Sequence, residues 1–250
     1  MIKFILTSIL SGVIIGLAGF LYVCTKWICE DIIKINYLTE IFNIIGSIVF
    51  SFGLLIICKF KLNLFTGKVG KLFETENYLN KCNFTLQLIF ILIINVIFAI
   101  CLGVISNVIL NKTYYMVIIQ KIVEGKSSFV NLNSYILTLF QSIFCGLCVS
   151  SAVKTFEFNV LFCSLFVSIF VYNNFQHCIA NAFYFGALYN KFSYYMLINE
   201  AIVIAGNIIG SIPISVLTNH IHRKYFSSSL SLSSSSLSSS LSSSLSSSSI

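Results

Sequence analysis

The sequence predicts an all-α membrane protein of six transmembrane helices built as an inverted repeat, with the second and fifth helices broken. Three observations predict it. Of the 250 residues, 57% are hydrophobic and 9% charged, with a mean hydropathy of +0.94, whereas soluble domains carry about 25% charged residues. The apolar residues gather into six runs long enough to cross a bilayer. Polar residues interrupt the second and fifth runs, and single asparagines stand in the third and sixth, so the polar features recur three spans apart. Interrupted segments at matching positions of two halves point to a transporter or channel with its site where the breaks meet.

The first span covers residues 5–23. Its Gly12, Gly16 and Gly19 make a small-residue face on which another helix can approach closely, although glycine is also simply common in such helices. No small-x-small cleavage site follows it, so it reads as a span and not as a removable leader. A polar connection follows, with Lys26, Glu30, Asp31, Lys34 and Glu40. The second span, 41–60, is cut off by Lys59, Lys61 and Asn63; Leu64-Phe65-Thr66-Gly67 comes next, and 69–79 reads as a shorter, partly apolar helix. The third span, 84–109, holds the lone Asn95. A loop carrying Lys112, Lys121, Glu124 and Lys126 leads to the fourth span, 134–153.

The fifth span, 159–188, contains Asn173, Asn174, Gln176, His177 and Asn181. Polar side chains at membrane depth are expensive and face a bundle interior or a watery cavity. Tandem asparagines compete for backbone hydrogen bonds and tolerate left-handed dihedrals. The span is therefore predicted to break at Asn173-Asn174 and restart near Phe175, with His177 in the first turn of the new half. The sixth span, 194–217, carries Gly206-Asn207-Ile208-Ile209-Gly210. Serine with occasional leucine then fills 226–250, a composition that cannot offset the cost of chain ordering. The predicted organisation is a membrane domain over 1–225 and a disordered cytoplasmic tail over 226–250.

The net charge of +7 is carried by lysines and arginine standing singly between apolar runs, which reports orientation and does not point to nucleic acid. Their excess on one side predicts a plasma-membrane protein with both termini cytoplasmic. Most cysteines lie inside apolar runs, where a thiol behaves as a small hydrophobe. Cys145 and Cys148 match C-x-x-C without the strand–helix context of a redox motif, and Cys24 could pair with Cys29 if their loop faces an oxidising space. No H-E-x-x-H occurs, and Glu200 stands almost alone among acids in the spans. The chain is predicted not to be an enzyme, with no metal and no cofactor.

At Leu64-Phe65-Thr66-Gly67, at Phe175-Gln176-His177-Cys178-Ile179-Ala180-Asn181 and at Gly206-Asn207-Ile208-Ile209-Gly210, each in order and in its proper span, the chain resembles the formate/nitrite transporter family from about residue 3 to 217. The resemblance implies an aquaporin-like fold, a homopentamer in the lipid bilayer with one pore per protomer, and passage of small anions such as formate, nitrite or hydrosulfide. It implies that Thr66 and the central His177 lie on the substrate pathway, with Asn181 and Asn207. It also implies apolar constrictions at Phe50, Leu54, Leu64, Phe65, Val149 and Phe170. The sequence departs from the family pattern at four places. Asn63 and Gln176 stand where carboxylates are usual, Gly146 where asparagine is usual, and Val130 where a lysine is usual, with Lys126 a turn away.

An anion cannot shed its water cheaply in an apolar slit. Two devices lower that barrier: the amides and positive dipole end of the restarted half-helix, and an imidazole whose unperturbed pKa of about 6.5 suits proton sharing with a weak acid. The plainer readings stand beside these. His177 could be a packing histidine bonded to Thr or Asn, Thr66 a helix cap, Asn181, Asn95 and Asn207 interhelical glue, and Lys126 a solvated loop lysine. The rival functions are a hydrosulfide or other small-anion channel of the same fold and a non-transporting membrane scaffold.

Overall fold

The structure, a computed structural model, describes residues 1–28, 38–74, 78–110, 114–127 and 131–246, with side chains as far as residue 221. Among these the regular structure is helical throughout. The helices are α1 (Ile2–Trp27), α2 (Thr39–Lys59), α3 (Phe65–Lys68), α4 (Tyr78–Leu110), α5 (Tyr114–Ser127), α6 (Leu132–Thr155), α7 (Val160–Tyr172), α8 (Cys178–Ala187) and α9 (Tyr194–Ser246). Five of the described helices are long and apolar enough to cross a membrane: α1, α2, α4, α6 and the 194–221 part of α9. The sequence predicts six spans; the remaining run is divided between α7 and α8, each too short to cross alone.

The long helices are built to pack in an apolar solvent. On α1 the buried face holds Ser8, Ser11, Gly12, Gly16 and Gly19, while Leu6, Leu10, Leu17 and Leu21 point outward. Lipid gives no hydrophobic push between helices, so association relies on close contact between small residues. A Cβ on Gly12 would lie 2.5 Å from the backbone oxygen of Asn95, so α1 sits directly on α4. The same arrangement recurs between α6 and α9, where a Cβ on Gly146 would lie 2.3 Å from the backbone oxygen of Asn207. An asparagine at 146 has no room here.

The two breaks are built alike. Helix α2 ends on Lys61 in the left-handed region (φ 52), and α7 ends on Asn174 at φ 54. At the first end, Lys61 N–H donates to Cys58 O and Leu62 N–H to Ile57 O; at the second, Asn174 N–H donates to Val171 O and Phe175 N–H to Phe170 O. This is the reversal that closes many helices, satisfying carbonyls that would otherwise be left bare. Asparagine accepts the left-handed conformation more readily than lysine does, which is why the second break is the plainer one in sequence. Above the breaks, α2 and α7 touch through Ser51 and Ser164, whose hydroxyls lie 2.6 Å apart at a separation of 113 residues, the spacing that also relates Lys61 to Asn174.

Several expectations are corrected in detail. The predicted 69–79 helix is instead α3 followed by 3₁₀ turns over Val69–Phe73, because Gly67 and Gly70 disfavour a longer α-helix; residues 75–77 lie outside the described residues. The segment read as a loop before the fourth span contains α5, which buries Tyr115, Ile118, Ile119 and Val123 on one face. Those positions follow helical periodicity. The backbone stays helical through the serine-rich stretch to Ser246, where composition predicts no order. Extending an existing helix avoids the cost of nucleation, so a poor helix former can continue a good one. Cys145 and Cys148 are free, buried thiols, and Cys29 and Val130 lie outside the described residues.

Candidate functional site

The two half-loops that follow the breaks meet in the middle of the molecule, and each is held from behind by an asparagine. Asn95 on α4 accepts from Phe65 N–H at 2.9 Å and donates to Ser8 O at 2.7 Å and Asn63 O at 3.1 Å. Asn207 on α9 accepts from Cys178 N–H at 3.1 Å and donates to Ser142 O at 2.8 Å and Gln176 O at 2.9 Å. Each amide thus ties one loop to two helices and satisfies backbone groups that have no water to turn to. Both asparagines are buried, and each spends its side chain on backbone partners.

His177 stands at the start of α8, with extended backbone (φ −113, ψ 118) and its ring capping the helix. It is the N-cap and not, as the sequence predicts, a residue of the first turn; a side chain that accepts from the third helical amide needs non-helical backbone at its own position. Ala180 N–H donates to Nδ1 at 3.2 Å, and Nε2 lies 2.9 Å from Thr66 Oγ1. Because an N–H must donate, Nδ1 is the acceptor, so the neutral ring carries its hydrogen on Nε2 and donates it to the threonine. Thr66 sits in the first turn of α3, and both residues are 2% exposed. The side chains of the two half-loops therefore join at one hydrogen bond.

The expected bare amides at the start of α8 are mostly taken: Cys178 N–H by Asn207, Ala180 N–H by the His177 ring, and Asn181 N–H by His177 O. Buried backbone donors without partners are rarely tolerated. What α8 keeps is the positive end of its dipole.

Aromatic rings frame the histidine. Phe170 stacks on it with centroids 5.7 Å apart and planes at 19°, and Phe50 meets Phe170 edge-on at 5.9 Å. A chamber of about 30 Å³ lies beside the imidazole, lined by Phe50, Lys126, Phe170, His177, Asn181 and Tyr184 among others. That is room for only one or two waters or a solute of similar size. It shares Ile122, Lys126 and Asn174 with a larger vestibule of about 300 Å³.

Between the two cavities lies a network of amides. Gln176 Oε1 accepts from Lys126 Nζ at 3.2 Å and from Asn181 Nδ2 at 2.9 Å, while its own amide donates to Gln141 Oε1 at 3.3 Å. Asn181 also donates to Asn199, and Asn199 Nδ2 donates to Lys126 O at 2.7 Å. The sequence reading treats Lys126 as a solvated loop lysine. The structure instead holds its ammonium against Gln176 and 5.8 Å from the Tyr184 ring centroid, because α5 carries it inward. At the other loop Lys68 Nζ donates to Asn63 Oδ1, and Asn63 Nδ2 donates to Thr7 Oγ1 at 2.7 Å.

Of the sequence-selected residues, Thr66 and His177 are bonded to each other, and Asn181, Phe50 and Phe170 line the chamber. Leu54, Leu64, Phe65 and Val149 are buried in the core but line neither cavity, and Asn207 serves the loop backbone. The sequence reading missed Gln141, Tyr184 and Asn199; in each case a polar group stands on an apolar helix, which is a signal without a location until the helices are packed.

Over residues 1–221 the chain matches a family model described as formate/nitrite transporter. Among solved structures it is similar to a pentameric formate channel with formate bound, with a TM-score of 0.70 at 19% identity, covering 90% of this chain and 96% of that one. It is also similar to an FNT family ion channel, with a TM-score of 0.71 at 14% identity, covering 88% of this chain and 90% of that one. The comparison with curated proteins found no match.

Proposed function

The chain belongs to the formate/nitrite transporter family, and from that premise we propose that it passes small monovalent weak-acid anions, formate or nitrite, through a pore in each protomer of a homopentamer. In this reading the polypeptide crosses the plasma membrane six times as an inverted repeat, α2–α3 and α7–α8 each forming one broken crossing. Both termini are cytoplasmic, and residues 226–250 form a tail apart from the 1–225 channel. The observation that carries the reading is the hydrogen bond joining Thr66 to His177 where the two half-loops meet.

An anion arriving from the vestibule passes Lys126 and enters the chamber beside the imidazole. There it exchanges water for the hydroxyl hydrogen of Thr66, which stays available because the ring's Nε2–H uses only the threonine's lone pair. Hydrogen bonds to a charged group contribute about 1.5–3 kcal/mol each, well short of the cost of an ion stripped of its shell. Proton transfer supplies the remainder. The neutral ring cannot give up its one hydrogen without becoming imidazolate, so a proton delivered by water from the vestibule first binds Nδ1 and displaces the Ala180 amide. The hydrogen left there keeps the ring neutral once Nε2 has given up its own. One proton then passes from Nε2 through the Thr66 hydroxyl to the anion, and the neutral acid crosses the apolar slit. The charge of the waiting anion offsets the cost of the imidazolium.

The chamber's volume suits hydrosulfide as well as formate, so a hydrosulfide channel of the same architecture is the second reading. Reconstituted flux with a panel of weak-acid anions at two pH values tests both. Saturable formate or nitrite flux that rises as pH falls supports the first. Flux of hydrosulfide alone supports the second, and no flux of any anion leaves a scaffold.

A further inference from the structure

Glu200 is a buried acid that the pathway does not use. It stands two helical turns before Asn207 on α9, on the same side of that helix, and it lines neither cavity. Both of its carboxyl oxygens are sealed from solvent, and neither takes part in a hydrogen bond. Its chain neighbour Asn199 donates to Lys126 O at 2.7 Å, which sets the end of α5 against this turn of α9. Among the described residues, the charge that acts on Glu200 is the Lys126 ammonium. The Cys178 thiol of α8 also lies within electrostatic reach of the carboxyl, and Cys145 of α6 and Lys26 of α1 lie within reach of Lys126. Cys145 and Cys178 are free, buried thiols.

A carboxylate in this place would be bare. An ion shut away from water needs donors or a counter-ion, and a carboxyl with neither keeps its proton. Lys126 can be that counter-ion, but its Nζ donates to Gln176 Oε1 at 3.2 Å, where vestibule and chamber join. Two arrangements therefore compete for one ammonium. In the first, Glu200 is a neutral acid and the ammonium stays on Gln176, beside the anion's route. In the second, Glu200 is ionised and draws the ammonium off Gln176 into an ion pair. We propose that Glu200 is a proton-binding residue that sets the position of the Lys126 ammonium, so that losing its proton withdraws the charge that admits anions to the chamber. The effect on flux rests on the transport reading; the proton site does not. The step balances. The carboxyl O–H breaks and its proton passes to the Lys126 nitrogen, while one ammonium proton of Lys126 leaves to vestibule water as hydronium. The pair goes from one positive charge to none, so rising pH favours the second arrangement and slows passage.

The test uses the full chain in proteoliposomes. Exchange of labelled formate, at equal concentration and equal pH on both sides, is followed from mildly acidic to mildly alkaline pH. Infrared difference spectra follow the C=O stretch of protonated carboxyl groups over the same range. The wild type is expected to show a carboxylic-acid band, absent from Glu200→Gln, that fades as pH rises while exchange falls in step. Glu200→Gln cannot ionise, so its ammonium stays on Gln176. It is expected to match the wild type at the acid end and to exchange about tenfold faster at the alkaline end, the worth of one charge-assisted contact. His177 acts in both proteins and cancels in that ratio. Glu200→Asp serves if the glutamine variant does not assemble: its band and its exchange are expected to shift to a new midpoint together, and midpoints that move apart overturn the proposal. So does the lack of a Glu200 band at every pH, or a wild-type pH profile in Glu200→Gln. A titrating Glu200 band in a protein that exchanges no formate upholds the proton site and removes the transport reading.

Discussion

His177 holds two positions at once, and asparagine in its place separates them. The ring caps α8 through Nδ1 and reaches Thr66 through Nε2. In His177→Asn a short amide can still accept the Ala180 N–H, since asparagine is among the best N-caps, but it cannot reach across to Thr66 or carry a mobile proton. In His177→Phe both functions go, and the Ala180 amide is left buried without a partner at a cost of about 1–3 kcal/mol. The expected pattern is therefore split. His177→Asn should melt close to the wild type, and His177→Phe should melt lower, by thermal denaturation followed on size exclusion. Both should lose formate flux. Losing the charge-assisted hydrogen bond through which the ring feeds Thr66 during transfer costs about 1.5–3 kcal/mol, which is roughly a 10- to 150-fold slower passage. Wild-type flux with wild-type pH dependence in His177→Asn would refute the role given to the imidazole. Equal melting of the two variants would refute the cap.

Thr66→Ala removes the hydroxyl between the ring and the solute and is expected to slow formate flux about tenfold or more, whereas Thr66→Ser should keep most of it; an identical permeation profile in the alanine variant would reduce Thr66 to a packing residue. Asn207→Leu strands two loop groups, Cys178 N–H and Gln176 O, takes a second partner from Ser142 O inside α6, and is expected to cost about 3 kcal/mol; Asn95→Leu should cost about the same, and assembly yields that differ widely would show the two clamps are not equivalent. Gly146→Ala forces a Cβ to within 2.3 Å of a backbone oxygen of α9 and should impair folding, while Gly125→Ala, with nothing within 4 Å, should express normally; comparable yields of the two would contradict the packing of α6 on α9.

The helical class and the five long apolar helices are legible in the sequence because they depend on local properties. Hydropathy marks a helix in lipid. Asn174 marks a left-handed turn plainly, whereas Lys61 takes the same turn and reads only as one of several interrupting polar residues. The resemblance to the formate/nitrite transporter family, a membership the matching family model establishes, puts Thr66 and His177 each on the substrate pathway without pairing them. The residues alone gave two polar groups 111 apart in the chain. Asn95 reads as glue between helices, and Asn207 as part of the substrate pathway or as glue; both instead bind loop backbone that no periodicity identifies. Helix α5 is hidden in the sequence for a different reason. Gln120, Lys121, Glu124 and Lys126 made the segment read as polar linker, although Tyr115, Ile118, Ile119 and Val123 repeat at helical spacing; with α5 unseen, Lys126 had no route to the site.

The two half-loops differ in one respect that bears on how such a protein can change. Helix α3 begins at Phe65 behind Leu64, which offers no side-chain cap, and Asn95 anchors that loop from outside as Asn207 anchors the other. Helix α8 depends on the His177 ring itself. Leu64 and Thr66 lend no side chain to a helix cap, whereas at 177 only a residue that still caps α8, as asparagine does, can change the chemistry without unsettling the helix start. Drift in solute preference among descendants of this chain should collect on the first half-loop, with the second held nearly constant.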